Sequence, residues 1–308
     1  MKKCGNKRRR VLCGLLLAAI TLAGSAAFLF YGPFEQFRRL WIHTAVYSSH
    51  YKFLATALYP QSYIDRVLDT PFPQGATDPE PLEESPSDTV QFAELKGNYY
   101  RGYIIKIEDP RRLNLVPAWE EGGSLLETLV AERQCLGGVN GGGYRDDKRR
   151  GLPWGTVIIG GELVSACTEH REHTIGGLTR DYKLAVGRMG EQEIRDQRYE
   201  WAFEFGPVLI MNGEKTALNS YSGGLAPRSA IGQTREGHIL LVVVDGRQAS
   251  SIGATYQDIQ TILYANGAIN AIELDGGSSS CMVYQGKLVN SPSEGTDGRL
   301  LPNAIIFK

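Results

Sequence analysis

Three times in this chain an apolar run stops at a polar residue followed by glycine: Asn140-Gly141-Gly142-Gly143, Asp245-Gly246-Arg247 and Asp275-Gly276-Gly277. Glycine permits tight turns and lets a backbone approach a ligand closely, so these punctuation marks constrain both fold and site. Residues 239–244 are continuously apolar, as in a strand covered on both faces. Thr255 and Asp258 then form a capping box, Ile259, Ile262 and Leu263 give a helical stripe, and Gly267 stops the helix before a strand over 269–274. A strand–helix–strand crossover makes its two strands parallel, which places Asp245 and Asp275 at one sheet edge. Open α/β sheets hold their ligands at such edges. Residues 113–116, a helix capped by Ser124 and Glu127, and a strand over 135–139 repeat the rhythm and end at Asn140.

Other segments predict antiparallel hairpins turning at Gly160-Gly161, Asn212-Gly213 and Gln285-Gly286. The expected class is therefore α+β, a mixed twisted sheet combining βαβ units with hairpins. A net charge of −1 argues against a general nucleic-acid binder, which usually has a basic domain. Beyond the N-terminal segment stand Cys135, Cys167 and Cys281, without CxxC spacing, so neither a disulfide framework nor a zinc site is predicted. One bridge with a free thiol and three free thiols both remain open. His170 and His173 could chelate, but no third ligand is evident and an exposed loop is expected there. Clustered carboxylates leave Ca²⁺ as an open possibility, and no other cofactor is expected.

At the N-terminus, Lys2, Lys3, Lys7, Arg8, Arg9 and Arg10 precede an uncharged apolar run over residues 11–31. That run is long enough to cross a bilayer core of about 30 Å as a helix, and the basic cluster holds its own side cytoplasmic. Small residues around Ser25 would suit a cleaved signal peptide, but Phe28, Leu29 and Phe30 extend the run beyond a usual h-region. The organisation read from the sequence is a cytoplasmic tail and transmembrane helix (1–32), a helical stalk (33–69), a Pro/Glu/Ser linker (70–89) and a folded domain (90–308).

Six stretches carry a resemblance. They are Gly138-Val139-Asn140-Gly141-Gly142-Gly143-Tyr144, Phe205-Gly206-Pro207-Val208-Leu209, Pro227-Arg228-Ser229-Ala230-Ile231-Gly232, Val244-Asp245-Gly246-Arg247, Leu274-Asp275-Gly276-Gly277-Ser278-Ser279-Ser280 and Pro302-Asn303-Ala304-Ile305-Ile306. In this order and spacing the chain resembles the phosphodiester glycosidase family over 90–308. Ser278 stands where the family often has a third glycine, and Gly298-Arg299 where it often has Glu-Arg.

The resemblance implies hydrolysis of a sugar C1–O bond with a phosphate ester as leaving group. Such a site needs a cation for phosphate and a carboxylate facing an oxocarbenium-like centre. Arg228, Arg247 and Arg299 are the expected cations, favoured by their bidentate fork. Asp275 and Asp245 are the expected nucleophile or base. In an extended strand Glu273 stands about 6.6 Å from Asp275 on the same face, within the range of paired glycosidase carboxylates. Asn140, Gly141, Gly142, Gly276, Gly277 and Ser278 are expected to contact substrate. No GxSxG elbow surrounds Ser278–Ser280, so hydrogen bonding to phosphate or hydroxyls is expected of them. The expected function is an extracytoplasmic glycan hydrolase acting on cell-envelope or exopolysaccharide material, tethered to the membrane. The alternative is a non-catalytic glycan-binding or exopolysaccharide-assembly factor.

Overall fold

The computed structural model describes residues 3–46, 51–68, 75–76, 87–118, 122–143, 152–166, 172–218 and 223–308. Two compact units result, Met1–Leu68 and Asp69–Lys308.

The first unit is helical: α1 (Lys3–Tyr31), α2 (Glu35–Val46), α3 (Lys52–Leu58) and α4 (Gln61–Leu68). Within α1, Leu12–Tyr31 is long and apolar enough to cross a membrane, a test that an N-terminal signal sequence also passes. The expected helical stalk differs in form. Ile42, Ala45, Ala55, Tyr59, Ile64 and Val67 bury against one another, so α2 to α4 fold into a small cluster instead of an extended stem. Phe30 packs edge-on against Trp41 at 5.0 Å, and Tyr59 donates to the Phe30 carbonyl at 2.8 Å, which ties the cluster to the end of α1. Pro60 explains the break: it stands between α3 and α4, and its carbonyl accepts from Tyr63 and Ile64 in the next turn.

The second unit contains β1 (Gly75–Ala76), β2 (Val90–Lys96), β3 (Arg101–Ile107), β4 (Leu113–Pro117), α5 (Leu126–Glu132), β5 (Gly137–Asn140), β6 (Val157–Ile159), β7 (Glu162–Ser165), β8 (His173–Thr179) and β9 (Leu184–Met189). It continues with α6 (Glu191–Asp196), β10 (Tyr199–Glu204), β11 (Val208–Met211), β12 (Glu214–Lys215), β13 (Arg228–Thr234), β14 (Ile239–Val244), α7 (Tyr256–Ala265), β15 (Ala268–Glu273), β16 (Met282–Tyr284), β17 (Lys287–Leu288) and β18 (Asn303–Phe307). Three sheets run in the orders β1-β9-β8-β10-β6-β7, β12-β11-β15-β13-β14-β3-β2 and β17-β16-β5-β18-β4. One core lies among them, built from alternate residues such as Val139, Phe203, Ile231, Val243, Ile272 and Phe307. Each sheet's other face buries a second cluster, with Ile259 and Leu263 of α7 on the seven-stranded sheet and Leu126 and Leu129 of α5 on the five-stranded one. Ile194 of α6 covers the six-stranded sheet.

The parallel pairing expected within βαβ units is absent. β14 and β15 run the same way and end at the same edge, but β13 lies between them and pairs antiparallel with both. β18 divides β4 from β5 in the same manner. Every ladder among the described residues is antiparallel, because a later or earlier strand fills the gap that each crossover leaves. The three expected hairpins form at their predicted turns. Most of the linker expected over 70–89 lies outside the described residues, as do Cys167 and His170; Gly75–Ala76 add a short edge strand beside β9. Cys135 and Cys281 are free thiols.

The two expected capping boxes part ways. Thr255 accepts from the Asp258 amide at 3.2 Å and Asp258 accepts from the Thr255 amide at 2.8 Å, closing the box on α7. On α5 the cap position is Leu125, without a side-chain bond, and Glu127 instead accepts from the Leu288 amide at 2.9 Å. A helix cap of this kind contributes about 1 kcal/mol. Thr255→Ala should therefore lower the urea midpoint by that equivalent, whereas Ser124→Ala should leave it nearly unchanged. Equal shifts for the two variants would contradict the assignment.

Candidate active site

The register of the seven-stranded sheet sets one edge. Arg228, the first residue of β13, stands opposite Val244, the last of β14, while Ala230 stands opposite Glu273, the last of β15. The edge therefore presents Asp245, Arg228 and Asp275 in that order. β5 of the five-stranded sheet delivers Asn140 to the same place, and the Asp275 amide donates to the Gly141 carbonyl at 3.0 Å.

Asn140 is buried, and its amide joins the strand ends. Its Nδ2 donates to the Asp275 carbonyl at 2.6 Å and more weakly to Gly141 at 3.4 Å. Its Oδ1 accepts from the Ser229 hydroxyl at 2.7 Å and the Cys281 amide at 3.2 Å. Those bonds saturate the amide. Asn140, expected to contact substrate, is thus fully engaged in joining these strand ends. Gly141 and Gly142 follow from the same closeness. A Cβ on Gly141 would stand 2.0 Å from Asn303 Oδ1, and one on Gly142 2.8 Å from Phe203. That Asn303 oxygen accepts the Gly142 amide at 2.9 Å.

The three carboxyls differ in access. Asp275 is partly exposed but lies deep in the unit, and burial pushes its carboxyl up to about 6. The Ser279 hydroxyl, the Arg299 charge and the Gly276 amide oppose that shift. Arg299 also donates to Ser278 Oγ at 3.3 Å, and the Arg247 guanidinium runs beside Gly277, 3.1 Å from where a Cβ would sit. Two arginines thus flank the Asp275-Gly276-Gly277 turn. Asp245 is raised by burial, opposed by Asn290 and Ser291, whose amides both donate to its Oδ1 at 3.0 and 2.8 Å. It anchors that loop.

Glu273 does not share the cleft. The strand ends there, so Asp275 leaves the sheet plane while Glu273 stays on the face covered by α7, with no exposed surface. Neither carboxyl oxygen has a hydrogen-bond partner among the described residues. Burial pushes the group up to about 8, opposed by the Arg228 charge. Glu273, expected as a catalytic partner of Asp275, thus lies on the helix-covered face, where burial favours its protonated form.

Arg228, expected as a phosphate-binding cation, makes several contacts within the fold. Its Nε donates to Ala254 at 3.0 Å, its Nη2 donates to Gly224 at 2.9 Å and to Gly223, and its plane lies 4.0 Å from the Tyr256 ring. It is a buried clamp on two loops. Its Nη1 lies 3.8 Å from where a Cβ on Gly276 would sit. Among the described residues no three His, Cys, Asp or Glu side chains cluster to hold a metal ion. His173, expected in an exposed loop, opens β8 and is buried, its Nδ1 3.1 Å from both Glu204 oxygens.

Ser229, Asn303 and Asn290 were not singled out by their chemistry in the sequence, although the first two lie inside the motif stretches. Strand alternation supplied the signal for Ser229: beside a residue facing the helix, it must face the inter-sheet core.

Protonated Glu273 stabilises the fold fully below its ordinary value of 4.5, and that contribution is lost as pH rises toward about 8. Thermal stability of the wild type should fall across this window relative to Glu273→Gln, whose neutral amide does not titrate. Parallel stability-versus-pH curves for the two would contradict the buried-proton assignment.

A model of the phosphodiester glycosidase family matches residues 133–308. The chain is 28% identical over 218 residues to the N-acetylglucosamine-1-phosphodiester alpha-N-acetylglucosaminidase of Bos taurus, covering 63% of this chain and 41% of that protein. The Mus musculus enzyme of the same name is 25% identical, covering 65% and 43%. The chain therefore spans less than half the length of these relatives. The solved catalytic domain of the zebrafish enzyme, auto-inhibited by its pro-peptide, superposes with a TM-score of 0.60 at 21% identity, over 76% of this chain and 86% of that one. The matched region contains Asn140, Arg228, Asp245, Asp275 and the turns that join them: the chain belongs to the phosphodiester glycosidase family.

Proposed function

We propose that this chain is a glycosidase that cleaves sugar-1-phosphodiester bonds in cell-envelope or exopolysaccharide material, outside the cytoplasm, from a single-pass membrane anchor. The observation that carries the reading is the Asp275 carboxyl at a glycine turn with Arg247 and Arg299 beside it. In the reaction, the bond between the sugar C1 and the phosphate oxygen breaks and its electron pair leaves with the phosphate. A phosphate with a second pKa of about 6 departs without a strong acid. The arginines hold the phosphate charge, and ionised Asp275 acts on C1 as nucleophile or through water as base. Gly276, Gly277 and Ser278 leave room and a hydroxyl for the substrate. Trp154, partly exposed beside Gly143, offers an aromatic wall for a sugar ring.

The full chain in detergent should release sugar from members of a sugar-1-phosphodiester panel. Asp275→Asn should lower kcat by about 10³-fold or more with little change in KM, because the charge matters mainly in the transition state. Turnover should rise with pH through an acidic limb near 6, where Asp275 loses its proton. Binding of the panel without turnover would favour a non-catalytic glycan-binding role, and wild-type turnover in Asp275→Asn would remove Asp275 from the mechanism.

The membrane reading rests on the basic cluster before Leu12–Tyr31. Protease added to sealed spheroplasts should digest the domain after residue 90 while α1 stays with the membrane fraction. Full protection would reverse the orientation, and release of the whole domain without α1 would indicate a cleaved signal sequence.

A further inference from the structure

The six-stranded sheet carries a second concavity, on the face that α6 covers, sharing no residue with the edge around Asp275. Its volume is about 650 Å³, within the range of small-molecule sites. His173 lies on its lining with only 2% of its surface exposed. The imidazole is held from behind: both Glu204 oxygens stand 3.1 Å from Nδ1, and Glu204 is itself fixed by the Thr156 amide at 2.8 Å. A ring anchored at one nitrogen by a carboxylate has its orientation set and presents the other. Here Nε2 has no hydrogen-bond partner among the described residues, so the floor of the cavity offers one oriented polar position.

The rim is cationic. Arg180, Arg195 and Arg198 line it against one acid, Glu191. Arg180 and Arg195 reach Glu200 and Glu191 only at 3.9 Å and on the surface, where such pairs hold little energy. Arg198 forms no ion pair among the described residues. Ile158, Ile194 and Tyr199 give the walls an apolar face. Cationic rim, apolar wall and one fixed imidazole nitrogen together match a compact ring bearing a negative charge.

We infer that this cavity is a binding site for an anionic sugar unit, with the anion on the Arg180, Arg195 and Arg198 rim and a sugar hydroxyl on His173 Nε2. The charge can be a carboxylate, as in a uronic acid, or a phosphate, as in a sugar phosphate. The site binds without chemistry and gives the domain a second grip on a charged glycan, whatever the Asp275 edge does.

The test uses the full chain in detergent, titrated calorimetrically with glucuronate, glucose 6-phosphate and neutral glucose, while the labelled His173 imidazole is followed by NMR. At least one anionic sugar should bind saturably and shift the His173 ring signals, and glucose should not. The paired substitution Arg195→Ala and Arg198→Ala, both at exposed positions, should weaken that binding at least 10-fold. Comparison of the two anionic sugars tells carboxylate from phosphate. Absence of saturable binding by either would overturn the inference, as would binding that leaves His173 unshifted or is unchanged in the rim variant. His173→Gln, which removes the ring, should abolish the contribution of the floor; unchanged affinity in that variant would also overturn it.

Discussion

The side chain of Asn140 sits where two sheets meet, and four bonds leave it: to the backbone of Asp275 and Gly141, and from Ser229 and Cys281. A buried amide must be fully satisfied or it costs a few kcal/mol. Its partners come from β13 of the seven-stranded sheet, from the loop that precedes β16 of the five-stranded sheet, and from the turn after β15. Strand ends that have no ladder between them are thereby held in register. The glycines at 141 and 142 are the steric counterpart, since Asn303 and Phe203 fill the space a side chain would need. Shift this node and the Asp275 carboxyl, the flanking arginines and the Gly276-Gly277 opening lose their common frame.

Within that frame three carboxyls share a cause and diverge in use. Burial raises all three. Asp245 is compensated by two amide donors and becomes a loop anchor. Glu273 has no hydrogen-bond donor among the described residues, and burial pushes its carboxyl up. Asp275 combines partial access with a hydroxyl, an amide and a guanidinium close by, all of which oppose the upward shift from burial. Arg228 lies one strand over and grips the carbonyls of Gly223, Gly224 and Ala254.

Much of this was legible in the sequence, for reasons that particular residues make plain. Periodicity and turn chemistry found the hairpins at Gly160-Gly161, Asn212-Gly213 and Gln285-Gly286, and the Thr255–Asp258 box, because each is a local decision. That Asp245 and Asp275 end at one edge followed from the common direction a crossover imposes on its two strands, and Asn140 from the same polar–glycine ending on a third strand. What local pattern could not encode was which strand fills a crossover gap: β13 and β18 come from elsewhere in the chain and turn a parallel expectation into antiparallel ladders. Nor could spacing tell that Glu273 faces α7 while Asp275 leaves the strand, or that Arg228 is consumed by backbone carbonyls. Ser124 and Glu127 had the residues of a capping box, yet Leu288 offered Glu127 a tertiary partner instead.

Whether Asn140 serves the proposed reaction by placing Asp275 is decided by a double-mutant cycle on phosphodiester hydrolysis. Asn140→Ala, Asp275→Asn and the double variant would be compared in kcat/KM, with thermal unfolding checked for each. If Asn140 serves to place Asp275, the losses are strongly non-additive and the double variant is no slower than Asp275→Asn alone. Losses that multiply, with each residue lowering the rate independently of the other, would contradict the account.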